Sequence, residues 1–254
     1  MKTKAHAKVN IFLKIVGTRG DYHELISRFV KIKELYDVIE FIPGNFEKFT
    51  IEGCEGIKRE ENLIYKAFIK LNEYTQNPAI IEFFYYHKVV VKKRIPQGGG
   101  LGGGSSDAAA FMKLCNDVID LRLSIKRLSE IGATIGADIP FFIYDYESAN
   151  VSGVGEIIEK FEEEVPDIEL KFIDERCDTA RVYKNYREKF MKIFEIELSN
   201  ELKNLPSYKI LTKISPLKAN DLYKSAIDLC PKLDSFKDRW FLSGSGSTLF
   251  KLKE

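Results

Sequence analysis

Residues 95–111 read IPQGGGLGGGSSDAAAF. Six of these seventeen residues are glycine, set between a proline and a run of alanines. Glycine gives up more conformational entropy on folding than any other residue, so the cluster is costly unless the backbone there does something no other residue allows. A flexible linker would have polar flanks. Here a β-branched run, VVVKK at 89–93, leads in and an alanine-rich helical stretch leads out. Ser105, Ser106 and Asp107 stand where helix N-caps belong. Strand, glycine loop and helix N-terminus together form an anion cradle: bare amides approach a phosphate closely, and the helix dipole favours its charge. A P-loop would end in Gly-Lys-Ser/Thr, whereas Gly104 is followed by Ser105. A Rossmann unit would need a second parallel strand ending in an acid, and two helical patterns follow instead. The loop is therefore read as a phosphate cradle outside both common schemes.

The rest of the chain narrows the class. It has 254 residues with Lys+Arg 39 against Asp+Glu 38, a net charge of +1. That balance argues against a nucleic-acid partner held by bulk electrostatics. The 44% hydrophobic and 12% aromatic content is that of a packed globular protein. Cys54, Cys115, Cys177 and Cys230 are scattered without a C-x-x-C pair and read as unpaired thiols of a reducing compartment. Lys8, Asn10 and Lys14 interrupt any signal-peptide core, and no apolar run approaches a membrane span. A soluble, cytoplasmic protein is expected.

Residues 5–16 and 35–42 read as strands, with the turn-rich GTRGDYHEL between them. Residues 62–74 read as a helix with Asn62 as N-cap, and IEFFYYHKVVVKKRIP at 81–96 as a hairpin or long strand. The alanine stretch and SIKRLSEIGATIG, capped by Ser124, read as helices, and FFIYD at 141–145 as a short strand. A division near residue 150 is expected, giving domains 1–150 and 151–254. Beyond it, 184–203 and 216–230 read as helical, RWFLSGSGSTLFKL as strand, tight turn and strand, and Glu162–Glu164 as a solvated run.

Charged residues in odd places mark the chemistry. Lys8 sits mid-strand with Asn10 on its face; from periodicity alone it faces solvent on an edge strand. Asp138 lies on a corner between a helix ending at Gly136 and Ile139-Pro140, whose proline predicts an extended Ile139; by default it is a turn aspartate. LSGSGSTLF, 242–250, is a hairpin turn or a close backbone approach to a ligand.

These pieces together resemble the GHMP kinases. The carriers are A-K-V-N at 7–10, the P-x-G-G-G-L-G-G-G-S-S loop, G-A-D-I-P at 136–140 and S-G-S-G-S at 243–247. The resemblance runs from Ala5 to about Phe250. Tyr22-His23-Glu24-Leu25 and Glu61-Asn62-Leu63 are similar to the branch that phosphorylates the 2-hydroxyl of a cytidine-diphosphate sugar alcohol in the non-mevalonate route to isoprenoid precursors. The resemblance implies an α+β fold of two domains. The first would be an ATP-binding, ribosomal S5-type domain and the second a C-terminal GHMP kinase domain, with the active site in the cleft between them. It implies ATP with Mg2+, its phosphates over Pro96, Gln97, Gly98, Gly99, Gly100, Leu101, Gly102, Gly103, Gly104, Ser105 and Ser106, and its adenine near Asn62 and Leu63. Asp138 would be general base, Lys8 would neutralise developing charge, and Asn10, Tyr22, His23 and Tyr183 would meet the acceptor. No metal ligand is implied by name. The partners implied are small molecules, with no nucleic acid and no membrane, in a monomer or homodimer.

The sequence departs from the family pattern at His6, where proline is usual, at Gly20-Asp21, which reverses the usual order, and at Tyr223, where an acid is usual. Another GHMP kinase, acting on homoserine or a mevalonate, would share the loop, Lys8 and Asp138 but would have no reason for Tyr22-His23 or Tyr183. A non-catalytic nucleotide-binding regulator would keep the loop and could lose the Lys8 and Asp138 pair.

Overall fold

The structure, a computed structural model, describes every residue except Arg176, Lys192 and Glu254. The chain divides into two compact units that alternate along the sequence. The first holds Met1–Ala7, Lys33–Ile95 and Gly103–Asp145; the second holds Lys8–Ile32, Pro96–Gly102 and the chain from Tyr146 onward.

Strands β1 (Lys2–Arg19) and β2 (Tyr22–Pro43) pair with each other and contribute residues to both units. The expected turn-rich connection shrinks to Gly20-Asp21, because Gly20 adopts a left-handed φ of 59° that lets the chain reverse at once. The first unit continues with β3 (Ile51–Glu52), α1 (Leu63–Thr75), α2 (Pro78–Tyr85), β4 (His87–Lys92), α3 (Gly103–Val118), α4 (Ile125–Ala133) and α5 (Ile139–Tyr144). Its part of β2 pairs antiparallel with β4, from Val38↔Lys92 to Pro43↔His87, and β3 runs parallel to β4.

Two stretches expected as strand are helical. IEFFYY lies largely in α2, which starts because Asn77 caps Ala79 N at 3.0 Å and Pro78 occupies the first turn, where its missing N–H costs nothing. Ile80 and Phe84, one helical turn apart, are its buried face. FFIYD lies in α5, with Pro140 again in the first turn, so Ile139 is helical rather than extended. Gly132 of α4 lets α5 approach: a Cβ there would stand 2.6 Å from Ile139 Cγ2. The core of this unit is an aromatic cluster. Phe49 stacks on Phe68 at 4.0 Å between centroids, Phe84 and Phe111 meet Phe49 edge to face, and Phe41 meets Phe84 in the same way.

The second unit adds β5 (Ser148–Gly153), β6 (Ile157–Lys160), β7 (Ile168–Lys171), α6 (Thr179–Asn185), α7 (Ile196–Asn204), α8 (Ser207–Lys213), α9 (Pro216–Ala219), α10 (Tyr223–Leu229), β8 (Phe241–Leu242) and β9 (Leu249–Leu252). Its part of β2 pairs antiparallel with β5, and β5 with β6. A separate antiparallel sheet has the order β7-β9-β8, and its β8–β9 pair is the expected strand-turn-strand. The helix expected at 184–203 is broken between Phe190 and Ile196, and that at 216–230 at Asn220–Leu222. In the second case the backbone is diverted: Asp221 N bonds Leu13 O, and Asp221 Oδ2 accepts Ile15 N at 2.8 Å.

Two further expectations are corrected here. Cys177 and Cys230 are paired as a disulfide, with Cα atoms 6.4 Å apart across 53 residues of sequence; Cys54 and Cys115 are free. Glu163, in the acidic run read as solvated, has only 3% of its side chain exposed. It accepts from Ser148 Oγ, Ser207 N and Ser207 Oγ, each at 2.6 Å, and faces the fully buried Arg28 at 3.4 Å. Among the described residues no helix is long and apolar enough to cross a membrane.

Candidate active site

In the second unit, every residue of β1 from Lys8 to Ile15 is buried, so the strand is covered on both faces. Lys8 is 3% exposed, which corrects the solvent-facing reading. A buried ammonium must be hydrogen-bonded. Lys8 Nζ donates to Asn10 Oδ1 at 2.6 Å and to the Gly100 carbonyl at 3.1 Å, and lies 4.4 Å from the centre of the Phe29 ring. Asn10 in turn donates to Ser27 Oγ at 3.0 Å, which fixes the side chain that fixes the lysine.

The Pro96–Gly102 part of the glycine loop lies against the S-G-S-G-S turn. Ser243 Oγ donates to the Gly100 carbonyl at 2.9 Å, and Thr248 N to the Gly99 carbonyl at 3.1 Å. Gly98, Gly100 and Gly102 have φ of 71°, 74° and 70°, a conformation a side chain resists. At Gly100 a Cβ would also overlap the Ser243 carbonyl oxygen. Asn220, buried, holds the turn by donating to the Leu242 and Gly244 carbonyls at 2.9 and 2.8 Å. Ser243 and Thr248 lie in the stretch read as a hairpin turn or a close approach to a ligand, whereas Asn220 had no role in the sequence reading. The signal available was a buried-type amide, outside any repeat, placed before a small-residue turn.

His23 and Tyr183 also meet in this unit, with ring centroids 5.3 Å apart and planes 38° from parallel. Tyr186 closes on the histidine edge at 6.0 Å, a partner the sequence reading missed although it lies one helical step from Tyr183. Burial, with Arg187 nearby, pushes the His23 pKa below its usual value, so the ring is neutral at pH 7. His23 Nε2 is buried without a hydrogen-bond partner among the described residues. Tyr22, expected beside it, is 69% exposed.

In the first unit, Gly103, Gly104, Ser105 and Ser106 open α3. Ser106 Oγ donates to the His6 carbonyl at 2.7 Å, while Ser105 Oγ lies 3.9 Å from where a Cβ on Gly136 would stand. Leu63 packs against Gly104, and Asn62 Oδ1 caps Ile64 N at 2.9 Å. Beside Asn62 is a cavity of about 390 Å3 lined in part by Phe49, Thr50, Cys54, Ile57 and Arg59. Asp138 is half-buried immediately before α5 and makes no cap hydrogen bond to that helix. Among the described residues no group of three or more His, Cys, Asp or Glu side chains is placed to hold a metal ion.

A buried lysine on a glycine loop, a loop opening into a helix, and an α+β frame of this order define a small-molecule kinase class: the GHMP kinases N-terminal domain model matches residues 62–146. The chain is 48% identical over 252 residues to the 4-diphosphocytidyl-2-C-methyl-D-erythritol kinase of Sulfurovum sp. (strain NBC37-1), covering 98% of each. It is 46% identical to the enzyme of that name from Sulfurimonas denitrificans, over 99% of this chain and 96% of the relative. A crystal structure of 4-(cytidine 5'-diphospho)-2C-methyl-D-erythritol kinase superposes with a TM-score of 0.76 at 30% identity, covering 100% of this chain and 90% of that one. The chain belongs to the 4-diphosphocytidyl-2-C-methyl-D-erythritol kinase family.

Proposed function

We propose that this chain transfers the γ-phosphoryl group of ATP to the 2-hydroxyl of 4-diphosphocytidyl-2-C-methyl-D-erythritol, a step toward isoprenoid precursors. The observation that carries the choice of acceptor is the His23–Tyr183 ring pair. It joins a β2 residue to an α6 residue 160 positions on and sets a neutral imidazole, its Nε2 unpaired, beside an aromatic face. A neutral pyrimidine needs such a slot: an apolar wall and a few fixed polar atoms. Tyr186 extends that wall.

Phosphoryl transfer asks a protein for positioning and charge stabilisation rather than covalent chemistry. The Gly98–Ser106 amides and the α3 N-terminus would take the phosphates, and the cavity beside Asn62 and Leu63 the adenine. Magnesium would arrive with ATP and be held chiefly by phosphate oxygens and water, as its reluctance to dehydrate favours. Lys8 would stabilise charge on the acceptor oxygen and the transferring group. Asp138 would accept the proton of the 2-hydroxyl. The oxygen then attacks the γ-phosphorus, the bond to the β-γ bridging oxygen breaks, and ADP leaves.

ADP release coupled to NADH oxidation tests the reading, with the cytidylylated acceptor, homoserine and mevalonate each supplied in turn. ADP is expected with the first acceptor alone. Turnover confined to homoserine or mevalonate would reassign the substrate.

A further inference from the structure

The Pro96–Gly102 stretch leaves the first unit at Ile95 and returns to it at Gly103. Both ends are tied to one buried cluster. Asp37, fully buried on β2, accepts Arg94 N at 2.5 Å and Ile95 N at 2.9 Å on Oδ1, which fixes the backbone just before the loop. Its Oδ2 accepts Lys93 Nζ at 2.5 Å. The same ammonium donates to Asp107 Oδ2 at 2.6 Å, at the start of the second turn of α3, shortly after the loop. Gly103 lets the helix start close over this lysine: a Cβ there would stand 3.6 Å from Lys93 Nζ and 3.0 Å from Ile95 Cγ2. One lysine clamps the strand end to the helix start.

The charges do not balance. A single ammonium serves two carboxylates, and Asp37 takes the larger share of donors. Among the described residues Asp107 accepts from Lys93 at Oδ2, and its Oδ1 is buried with no hydrogen-bond partner. Burial raises the Asp107 carboxyl to about 7, against the pull of Lys93, with the Asp37 charge adding to the rise. The other titratable group facing it is Cys54, whose thiol burial keeps neutral. Asp107 is thus the member of the cluster that takes a proton near neutrality.

We infer that Lys93 and Asp107 are positioning residues for the nucleotide, acting through the two pinned ends of the glycine loop; the inference rests on the ATP reading above. A loop whose ends are already fixed loses less freedom when it orders over a ligand, so more of the contact energy appears as affinity. With Asp107 protonated the cluster is neutral. With Asp107 ionised it carries one net negative charge at the start of α3, where a polyphosphate binds less well.

Calorimetric binding of MgATP to the full chain between about pH 6 and pH 8 tests this. Wild-type affinity is expected to fall roughly 3- to 10-fold across that range, beyond the titration of the nucleotide itself. Asp107→Asn, neutral and isosteric, should hold the low-pH affinity throughout. Lys93→Met should weaken MgATP roughly 10-fold at every pH and Lys93→Arg should restore part of it, while KM for the cytidylylated acceptor stays at the wild-type value in all three variants. Lys93→Met leaves two buried acids without a counter-charge; if it fails to fold, Asp107→Asn carries the test alone. Identical pH profiles in wild type and Asp107→Asn, or equal losses toward ATP and acceptor, would overturn the positioning role. A wild-type protein that binds no MgATP at any pH would overturn the ATP reading, and this one with it.

Discussion

Lys8 Nζ donates to the main-chain carbonyl of Gly100 at 3.1 Å, joining residues 92 apart in sequence. The lysine thus holds the loop at the same time as it is aimed by Asn10. Lys8→Met should lower kcat by roughly 10²–10³-fold, the cost of losing one preorganised donor at a site of developing charge. Lys8→Arg should not rescue it, since a planar guanidinium does not fit a slot closed by Asn10 and Phe29. Near wild-type kcat in a folded Lys8→Met protein would remove Lys8 from the chemistry.

Gly100 and Gly98 make a matched pair. Both have positive φ, but a Cβ on Gly98 meets nothing within 4 Å, whereas one on Gly100 overlaps the Ser243 carbonyl. Each alanine substitution carries a left-handed backbone cost of about 1–2 kcal/mol. Gly100→Ala adds the steric conflict and moves the carbonyl that holds Lys8, so it should lower both thermal stability and kcat well beyond Gly98→Ala. Equal midpoints and rates for the two variants would contradict the packing of loop on turn.

His23 supplies a pH dependence. Its folded pKa lies below the ordinary histidine value, so folding favours the neutral ring. That contribution is complete above about 6.5, the unfolded value, and is lost as pH falls through the folded value. Protonation would also place a cation beside Arg187. KM for the cytidylylated acceptor should therefore rise as pH falls through the lowered folded-state value, with KM for ATP less affected. His23→Gln should flatten the acceptor profile. A profile unchanged by that substitution would clear His23 of contact with the base.

Glu163 and Arg28 give a stability test away from the chemistry. Arg28 is fully buried, donates to Asn150 Oδ1 at 2.7 Å, and lies over the Phe161 ring at 3.3 Å. Burial lowers its pKa to about 10, with Glu163 opposing that fall, so it remains charged at neutral pH. Glu163→Gln removes the counter-charge and should cost about 3–5 kcal/mol of unfolding free energy, measured by denaturant titration. A loss under about 1 kcal/mol would mean that the pair is no better than a surface contact.

The glycine loop was legible because backbone geometry leaves few residues that can serve: positive φ at Gly98, Gly100 and Gly102 shows directly as glycine. The α1 start at Asn62 was equally plain, since a cap is a local bond. What failed was set at a distance. Phe141, Phe142 and Ile143 favour strands by propensity, and only packing against α4 at Gly132 decides for helix. Asn77-Pro78 is a local start signal for α2, a cap and a proline in the first turn, that the strand reading of 81–96 did not use. Glu163 looked solvated because its partner stands 135 residues away. Lys8 could not be oriented by alternation, since its strand is buried on both faces. The Lys93 bridge had no sequence signature, because its carboxylates stand 56 and 14 residues from the lysine, on a strand and a helix that only the fold brings together.

The most direct measurement is phosphorus and carbon NMR of the product made from ATP and 4-diphosphocytidyl-2-C-methyl-D-erythritol by wild-type protein and by Asp138→Asn. Wild type is predicted to give a phosphomonoester resonance beside those of the intact diphosphate, with phosphorus coupling at the quaternary carbon of the sugar alcohol. Asp138→Asn should give the same product roughly 10²–10⁴-fold more slowly, with MgATP binding retained. A phosphoryl group on another hydroxyl, no product from wild type, or an undiminished rate in Asp138→Asn would contradict the account.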